Sequence, residues 1–202
     1  MGEPKWWGRA CDELRAGDPV LGAIIDRFPG ERLEPRAAPF FTLARAIVGQ
    51  QISVRAAQTV WGRLEAICGG AVTIEAVLAR SVEQLQPAGL SQRKAEYIHG
   101  LARDREVWDL DWAPLDDETA IAQLCRLRGV GRWTAEMFLM FHLLRPDVLP
   151  LDDMGLVAAM RRVYGKALET EELREISAVW QPWRSVATWY LWRSLDPEPV
   201  EY

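Results

Sequence analysis

The apolar residues of this chain recur at helical rather than strand spacing. One clear stretch has apolar side chains three or four positions apart, at Val54, Ala57, Trp61 and Leu64. This spacing places them on one face of a helix. Strand-like alternation is weak everywhere, and the β-branched run at residues 72–74 is the best strand candidate. Because that run leads directly into another helical pattern, we expect an all-α protein.

Residues that commonly cap helices mark where several helices should begin. Ser81 starts the pattern of a capping box. We expect Ser91 to cap a helix that runs through Leu101, and Thr170 to cap one that runs through Trp180.

Two irregular stretches with prolines, at residues 29–39 and 144–152, divide the helical pattern. We expect residues 42–145 to form a helical bundle. Residues 1–41 and 146–202 should pack together as a second, terminal helical lobe. Because ligand sites often lie between lobes, we expect the active site in a cleft between these two.

The composition narrows the classes of protein that fit. Hydrophobic residues make up 49% and charged residues 26% of the 202 residues, as in ordinary globular proteins. No apolar run is long enough to cross a membrane, so we expect that the protein does not bind to one. The three cysteines form no Cys-x-x-Cys pair, which argues against a zinc site and a disulfide framework. We therefore expect a cytoplasmic protein.

The net charge of −5 argues against a strong nonspecific nucleic-acid binder, which is usually basic. It leaves room for a local basic face, because residues 123–134 contain Arg126, Arg128 and Arg132 and no acid. The ten tryptophans are unusually many. Core packing is the interpretation that composition favours, and an aromatic cleft for a planar ligand is the alternative.

The most specific local pattern is Leu-Arg-Gly-Val-Gly-Arg-Trp-Thr-Ala, at residues 127–135, between two apolar helical segments. Two glycines that flank a valine suit a tight turn, with the valine on the core side. Backbone amides at the start of the second helix suit a phosphate oxygen. A plain helix–helix turn is the alternative, but the full pattern resembles the helix-hairpin-helix of DNA-binding proteins. We place that motif at about residues 121–140.

A second pattern lies downstream, where a loop with Pro150 delivers Asp152 and Asp153 to a helix expected over Met154–Tyr164. Aspartate is a common helix cap, so this pair by itself predicts a cap and no chemistry.

The hairpin and the downstream aspartate together resemble the helix-hairpin-helix DNA glycosylase superfamily. The resemblance is strongest to the bacterial DNA-3-methyladenine glycosylase II (AlkA-like) branch, and it covers about residues 18–195. Further segments that carry it are residues 45–53, 89–97, 131–135, and 182–187 with 190–192.

The resemblance implies roles for individual residues. Asp153 would be the catalytic carboxylate, and Gln51 would be the wedge that fills the gap left by a flipped nucleotide. The residues implied to line the base pocket are Trp133, Trp192, Met137 and Met154. Core filling is the alternative for both methionines. The residues implied to contact DNA are Arg128, Gly129, Val130, Gly131, Arg132, Thr134 and Gln51.

Two further implications concern lysine chemistry and cofactors. Trp133 stands where bifunctional relatives have a lysine, so no Schiff base and no strand cleavage by an AP-lyase activity are expected. No cysteine follows Cys125, so the iron–sulfur loop of other relatives is absent. The family often holds Na+ or K+ on backbone carbonyls of the hairpin. The matching carbonyls are those of Cys125, Leu127 and Val130.

The implied function is a monofunctional DNA glycosylase that hydrolytically removes alkylated bases, of the 3-methyladenine and 7-methylguanine type, in base excision repair. Its partner would be double-stranded DNA carrying such bases, bound by a monomer in a bacterial-type cytoplasm, at the nucleoid. Two alternatives stay open: a glycosylase for oxidised or mismatched bases, and a non-catalytic structure-specific DNA-binding module.

Overall fold

The computed structural model describes residues 4–33 and 38–195, and every regular element in these ranges is a helix. This confirms the expected all-α fold. Residues 1–3, 34–37 and 196–202, all of which belong to the predicted terminal lobe, lie outside the described residues. The β-branched run at residues 72–74, the best strand candidate of the sequence, forms no strand. Thr73 instead caps a helix, since its side chain accepts a hydrogen bond from the backbone amide of Ala76 at 3.1 Å.

The chain divides into two compact helical units. The central unit comprises residues 38–143 and the terminal unit comprises residues 4–33 with 144–195. No helix within the described ranges has the length and apolar character that crossing a membrane requires.

The central unit is built around a helix that is buried on nearly every side. Its helices are α3 (Pro39–Gly49), α4 (Val54–Ile67), α5 (Ile74–Leu78), α6 (Val82–Leu85), α7 (Gln92–Arg103), α8 (Arg105–Trp108), α9 (Asp117–Leu124) and α10 (Arg132–Phe141). α3 is almost entirely apolar and packs against α4, α7 and α10. A helix with apolar residues all round must be enclosed by other elements, so α3 forms the core of this unit.

The terminal unit has a comparable central helix. Its helices are α1 (Trp7–Gly17), α2 (Pro19–Ile25), α11 (Met154–Tyr164), α12 (Thr170–Ile176) and α13 (Arg184–Leu195), and α13 packs against α1, α2 and α11. α11 has the predicted bounds. Most tryptophans of both units are buried, which confirms the core interpretation for Trp7, Trp61, Trp112, Trp180, Trp183, Trp189 and Trp192.

The predicted caps agree with the structure at two of three positions. Ser81 makes a capping box, and Ser91 caps α7. The prediction for Thr170 was wrong, because this residue is the first of α12. The cap is Glu169, which forms a reciprocal capping box with Glu172. The helix ends at Ile176 and a short 3-10 turn continues to Trp180.

Asp18 is a buried carboxylate that joins three elements of the terminal unit. One of its oxygens accepts hydrogen bonds from the amides of Val20 and Leu21, at 2.9 and 3.1 Å. The other accepts from the hydroxyl of Tyr164 at 2.7 Å and from the indole of Trp180 at 2.8 Å. Burial alone would raise the pKa of Asp18, but these four donors stabilise the charged form and lower it.

We expect an Asp18→Asn variant to lose stability, because an amide cannot accept all four hydrogen bonds. Because folding lowers the pKa of Asp18, its charged form stabilises the fold at pH values above the pKa of aspartate in the unfolded chain, about 3.9. This stability is lost as the pH falls through the folded pKa. Urea unfolding at pH 7 should give the variant a free energy of unfolding roughly 1–3 kcal/mol below that of the wild type. This difference should become smaller below about pH 4. Asp12→Asn, at an exposed position, serves as the control. Equal stability of the two variants would contradict this account.

Candidate functional site

The predicted hairpin is present in the central unit. α9 ends at Leu124, and α10 begins at Arg132. Val130 is buried and its amide donates to the carbonyl of Leu127 at 3.1 Å, which closes the turn. Gly131 is the N-cap of α10 and has no side chain to occupy the first amides of that helix. Those amides carry the positive end of the helix dipole, so they suit an anion.

Gly129 is the one position of the turn where only glycine fits. Its φ is +91°, in the left-handed region. A Cβ atom at this position would lie 2.3 Å from ring atoms of Tyr97, on α7. Gly131 differs, because its φ is −97° and a Cβ there would meet nothing within 4 Å. The ring of Tyr97 therefore fixes how the hairpin packs on α7.

Acidic side chains offset the arginines of the hairpin. Arg132 donates to Glu118 at 2.5 Å and to Glu136 at 3.0 Å, and Glu118 in particular raises the pKa of Arg132. Arg128 is more open: its side chain is 78% exposed, its contact with Glu96 is long at 3.5 Å, and its guanidinium lies 5.6 Å from the ring centre of Tyr97. The acid-free window at residues 123–134 did not reveal these ion pairs, because the acids lie outside it. Arg128 is thus the more accessible of the two predicted DNA-contacting arginines.

A sharp turn after α3 lies against the hairpin. The side-chain amide of Gln50 donates to the carbonyl of Gly129 at 2.9 Å and to the hydroxyl of Thr134 at 3.0 Å. Thr134 is buried and its hydroxyl accepts from Gln50, so this residue presents almost no surface to a ligand. Gln51, the predicted wedge, is exposed and has a φ of +59°, which is unusual for a residue other than glycine.

Two predicted pocket residues lie on α10. Trp133 is half-buried on the first turn of the helix. Met137, one turn further along, is completely buried. The side chain of Met137 therefore fits the core alternative better than a place on an open pocket wall.

The predicted catalytic carboxylate lies in the terminal unit, where it is also a helix cap. Asp153 is the N-cap of α11, and its Oδ1 accepts from the amide of Leu156 at 2.6 Å. The same oxygen accepts from the indole nitrogen of Trp192, on α13, at 2.8 Å. Asp152 is exposed. Asp153 is buried and oriented by two donors, as a positioned carboxylate should be.

The other predicted pocket residues of this unit differ in exposure. Trp192 is 1% exposed, whereas Met154, beside Asp153, is 81% exposed. A Cβ at Gly155 would make a tight contact of 3.0 Å with Oδ1 of Asp153 and an ordinary contact of 3.5 Å with the indole ring of Trp192. In this unit the structure thus brings together Asp153, Met154 and Trp192. The hairpin, Gln51, Trp133 and Met137 belong to the central unit, and the cleft between lobes stays a prediction.

Sequence reasoning missed several residues that shape these sites. Gln50 and Gly155 stand next to predicted residues, but nothing in the pattern distinguished them. Lys94 and Tyr97 belong to the segment at residues 89–97, which carried the family resemblance without an assigned role. No group of three or more His, Cys, Asp or Glu side chains that could hold a metal ion occurs in the described parts of the chain.

The chain is similar to proteins of known family. The family model described as "HhH-GPD superfamily base excision DNA repair protein" matches residues 44–184. A Mycobacterium tuberculosis protein named "Probable bifunctional transcriptional activator/DNA repair enzyme AlkA" is 36% identical over 201 residues. That alignment covers 93% of this chain, and the chain spans only 40% of the length of that relative.

Two solved structures are also similar. The DNA-3-methyladenine glycosidase of Bacillus halodurans is 35% identical, with a TM-score of 0.72 over 92% of this chain and 88% of that one. The Schizosaccharomyces pombe 3-methyladenine DNA glycosylase Mag1, in complex with abasic DNA, is 26% identical. Its TM-score is 0.82 over 92% of this chain and 96% of that one.

We expect Gly129→Ala to destabilise the protein and Gly131→Ala to leave its stability unchanged. The first substitution places a methyl group against Tyr97 and strains a left-handed residue, at a cost of about 1–3 kcal/mol. The second places it in open space. Thermal unfolding should show a drop of several degrees for Gly129→Ala alone. If the two variants melt together, the close contact between Gly129 and Tyr97 is not a feature of the folded protein.

Proposed function

The chain belongs to the HhH-GPD superfamily of base excision DNA repair proteins, and we propose that it is a monofunctional DNA glycosylase for alkylated bases. The observation that carries this proposal is the buried carboxylate of Asp153, oriented by Leu156 and Trp192 in a chain that also holds the hairpin. The proposed partner is double-stranded DNA with bases of the 3-methyladenine and 7-methylguanine type, bound by a monomer.

The hairpin supplies the proposed grip on the DNA backbone. The first amides of α10 would bind a phosphate, and the exposed guanidinium of Arg128 would add charge close to it. Arg132 must share its guanidinium with Glu118 and Glu136, so we assign it the smaller part of the attraction. Because Gly131 has no side chain, the turn leaves room for the phosphate to approach.

A monovalent cation suits the same turn. The carbonyl of Cys125 follows the C-terminal end of α9, where helix carbonyls carry partial negative charge. The carbonyl of Leu127 accepts a hydrogen bond from Val130 and retains a second lone pair. We propose that these two carbonyls and that of Val130 hold Na+ or K+, which would attract the phosphate.

The base to be removed must leave the helical stack before any residue can reach it. We propose that Gln51, which is exposed at the end of a sharp turn, fills the gap that the base leaves in the stack. Ile52, the next residue, is 41% exposed and adds apolar surface of the kind that unstacks bases.

Trp133 and Met154 are the predicted pocket residues that have exposed surface, so we assign them the contact with the base. An alkylated purine that carries positive charge would gain about 0.5–2 kcal/mol from the ring of Trp133. Trp192 and Met137 are buried, so we assign Trp192 to orienting Asp153 and Met137 to packing.

The chemistry proposed for Asp153 is electrostatic. A cationic base is already a good leaving group, so the bond between the sugar and the base can break without an acid to protonate the base. The carboxylate would stabilise the positive charge that develops on the sugar and help to position the attacking water. Because Trp133 stands in place of a lysine, no amine is available there to form a Schiff base with the sugar, and we expect no strand cleavage.

A base-release assay tests the proposed function. Duplexes that contain 3-methyladenine or 7-methylguanine, 8-oxoguanine, or a mismatch are incubated with the protein. We expect release of the methylated bases, and strand breaks only after alkali is added. Preferred release from the oxidised or mismatched duplex would support the other class of glycosylase. Release of no base would leave only a DNA-binding module.

The Gly131→Ala variant separates DNA binding from folding in the same assay. We expect it to melt with the wild type but to bind duplex DNA more weakly, because the added methyl group stands where a phosphate would approach.

A further inference from the structure

Lys94 lies on the first turn of α7 and reaches the end of a different helix. Its Nζ donates to the carbonyl of Val48 at 2.8 Å and to the carbonyl of Gln50 at 2.7 Å. Those carbonyls stand at the C-terminal end of α3, where the last carbonyls have no donor within the helix. The ammonium therefore satisfies groups that would otherwise need water.

This position is unfavourable for Lys94 in its own helix. A cation in the first turn faces the positive end of the helix dipole. Burial also lowers the pKa of Lys94, which means that it opposes the charged form. The negative end of α3 offsets both effects, so the stabilising partner of the ammonium is the turn after α3.

The contact with Gln50 controls the backbone of the residue that follows. The carbonyl of Gln50 lies in the peptide plane that joins Gln50 to Gln51. Rotation of that plane changes ψ of Gln50 and φ of Gln51 together. By holding the carbonyl, Lys94 holds Gln51 at its φ of +59°, a strained conformation that does not persist unless neighbouring groups enforce it.

The same region fixes the hairpin. The side chain of Gln50 donates to Gly129 and Thr134, and Tyr97, three residues after Lys94, packs against Gly129. α7 therefore contacts both the turn that carries Gln51 and the turn that would bind phosphate. A displacement of about 1 Å in such an arrangement can lower a rate by a factor of about 100.

We propose that Lys94 is a positioning residue, which holds Gln51 in register with the hairpin so that the side chain enters the gap left by a flipped base. This inference rests on the proposed function, in which Gln51 is the wedge. Lys94 would touch neither the base nor the sugar.

The test measures unstacking of DNA and does not require base release. A duplex carries 2-aminopurine beside a tetrahydrofuran abasic analogue, and its fluorescence rises when the wedge disturbs the stack. We expect Lys94→Met to reduce this rise at least about fivefold at saturating protein. Arg93→Met, which removes an equal charge from the exposed neighbouring residue, should leave the rise near the wild-type value.

A double-mutant cycle shows whether Lys94 acts through Gln51. We expect Gln51→Ala to reduce the rise, and the double variant Gln51→Ala/Lys94→Met to reduce it no further. If the two substitutions together reduce the fluorescence rise by the product of their separate effects, the proposal is overturned. It is also overturned if Lys94→Met and Arg93→Met give equal fluorescence rises. If Lys94→Met is unfolded at the assay temperature, Lys94→Gln replaces it, with the same two outcomes.

The wild-type signal keeps the two proposals apart. If the wild type unstacks the duplex and Lys94→Met does so equally well, this inference fails and the proposed function stands. If the wild type neither unstacks the duplex nor releases a methylated base, the proposed function fails, and the positioning role with it.

Discussion

The amide of Gln50 is the contact on which the proposed DNA-binding surface depends. The side-chain nitrogen of Gln50 donates to the carbonyl of Gly129 in the hairpin and to the hydroxyl of Thr134 on the first turn of α10. The backbone carbonyl of Gln50 accepts from Lys94. One residue thus ties the end of α3 to the hairpin and to α7. Because α3 is the buried core of the central unit, the hairpin is fixed to a helix that the rest of this unit encloses. The strained conformation of Gln51 persists because its neighbour is held in this way.

A second constraint operates in the terminal unit, where one carboxylate has two tasks. Asp153 caps α11 through Leu156, and Trp192 donates to the same oxygen. The cap and the catalyst, which the sequence offered as alternatives, are therefore compatible in one residue. The two donors fix the direction of the carboxylate, which is what an electrostatic role requires. Gly155 leaves room for the carboxylate, since a Cβ there would lie only 3.0 Å from Oδ1 of Asp153.

The pattern of the sequence predicted most of the fold and the position of the hairpin. Helical spacing and caps gave α7 and α11, and Gly-Val-Gly gave the turn, because these signals are local. Tertiary contacts were not predictable in the same way. The ion pairs of Arg132 depend on acids from other parts of α9 and α10, and the burial of Met137, Thr134 and Trp192 depends on neighbours that are distant in sequence. The segment at residues 89–97 was recognised by resemblance, but its physical role became visible only when Lys94 was seen at the end of α3.

The most direct test of the account is the single-turnover rate at which Asp153→Asn releases a methylated base, compared with Asp152→Asn. Both changes remove one carboxylate charge at adjacent positions, but only Asp153 is buried and held by Trp192. We expect a loss of about 100-fold or more for Asp153→Asn and little change for Asp152→Asn. Both proteins should bind the abasic duplex. Near-normal release by a folded Asp153→Asn variant would contradict the account, and Asp153 would then be only the cap of α11.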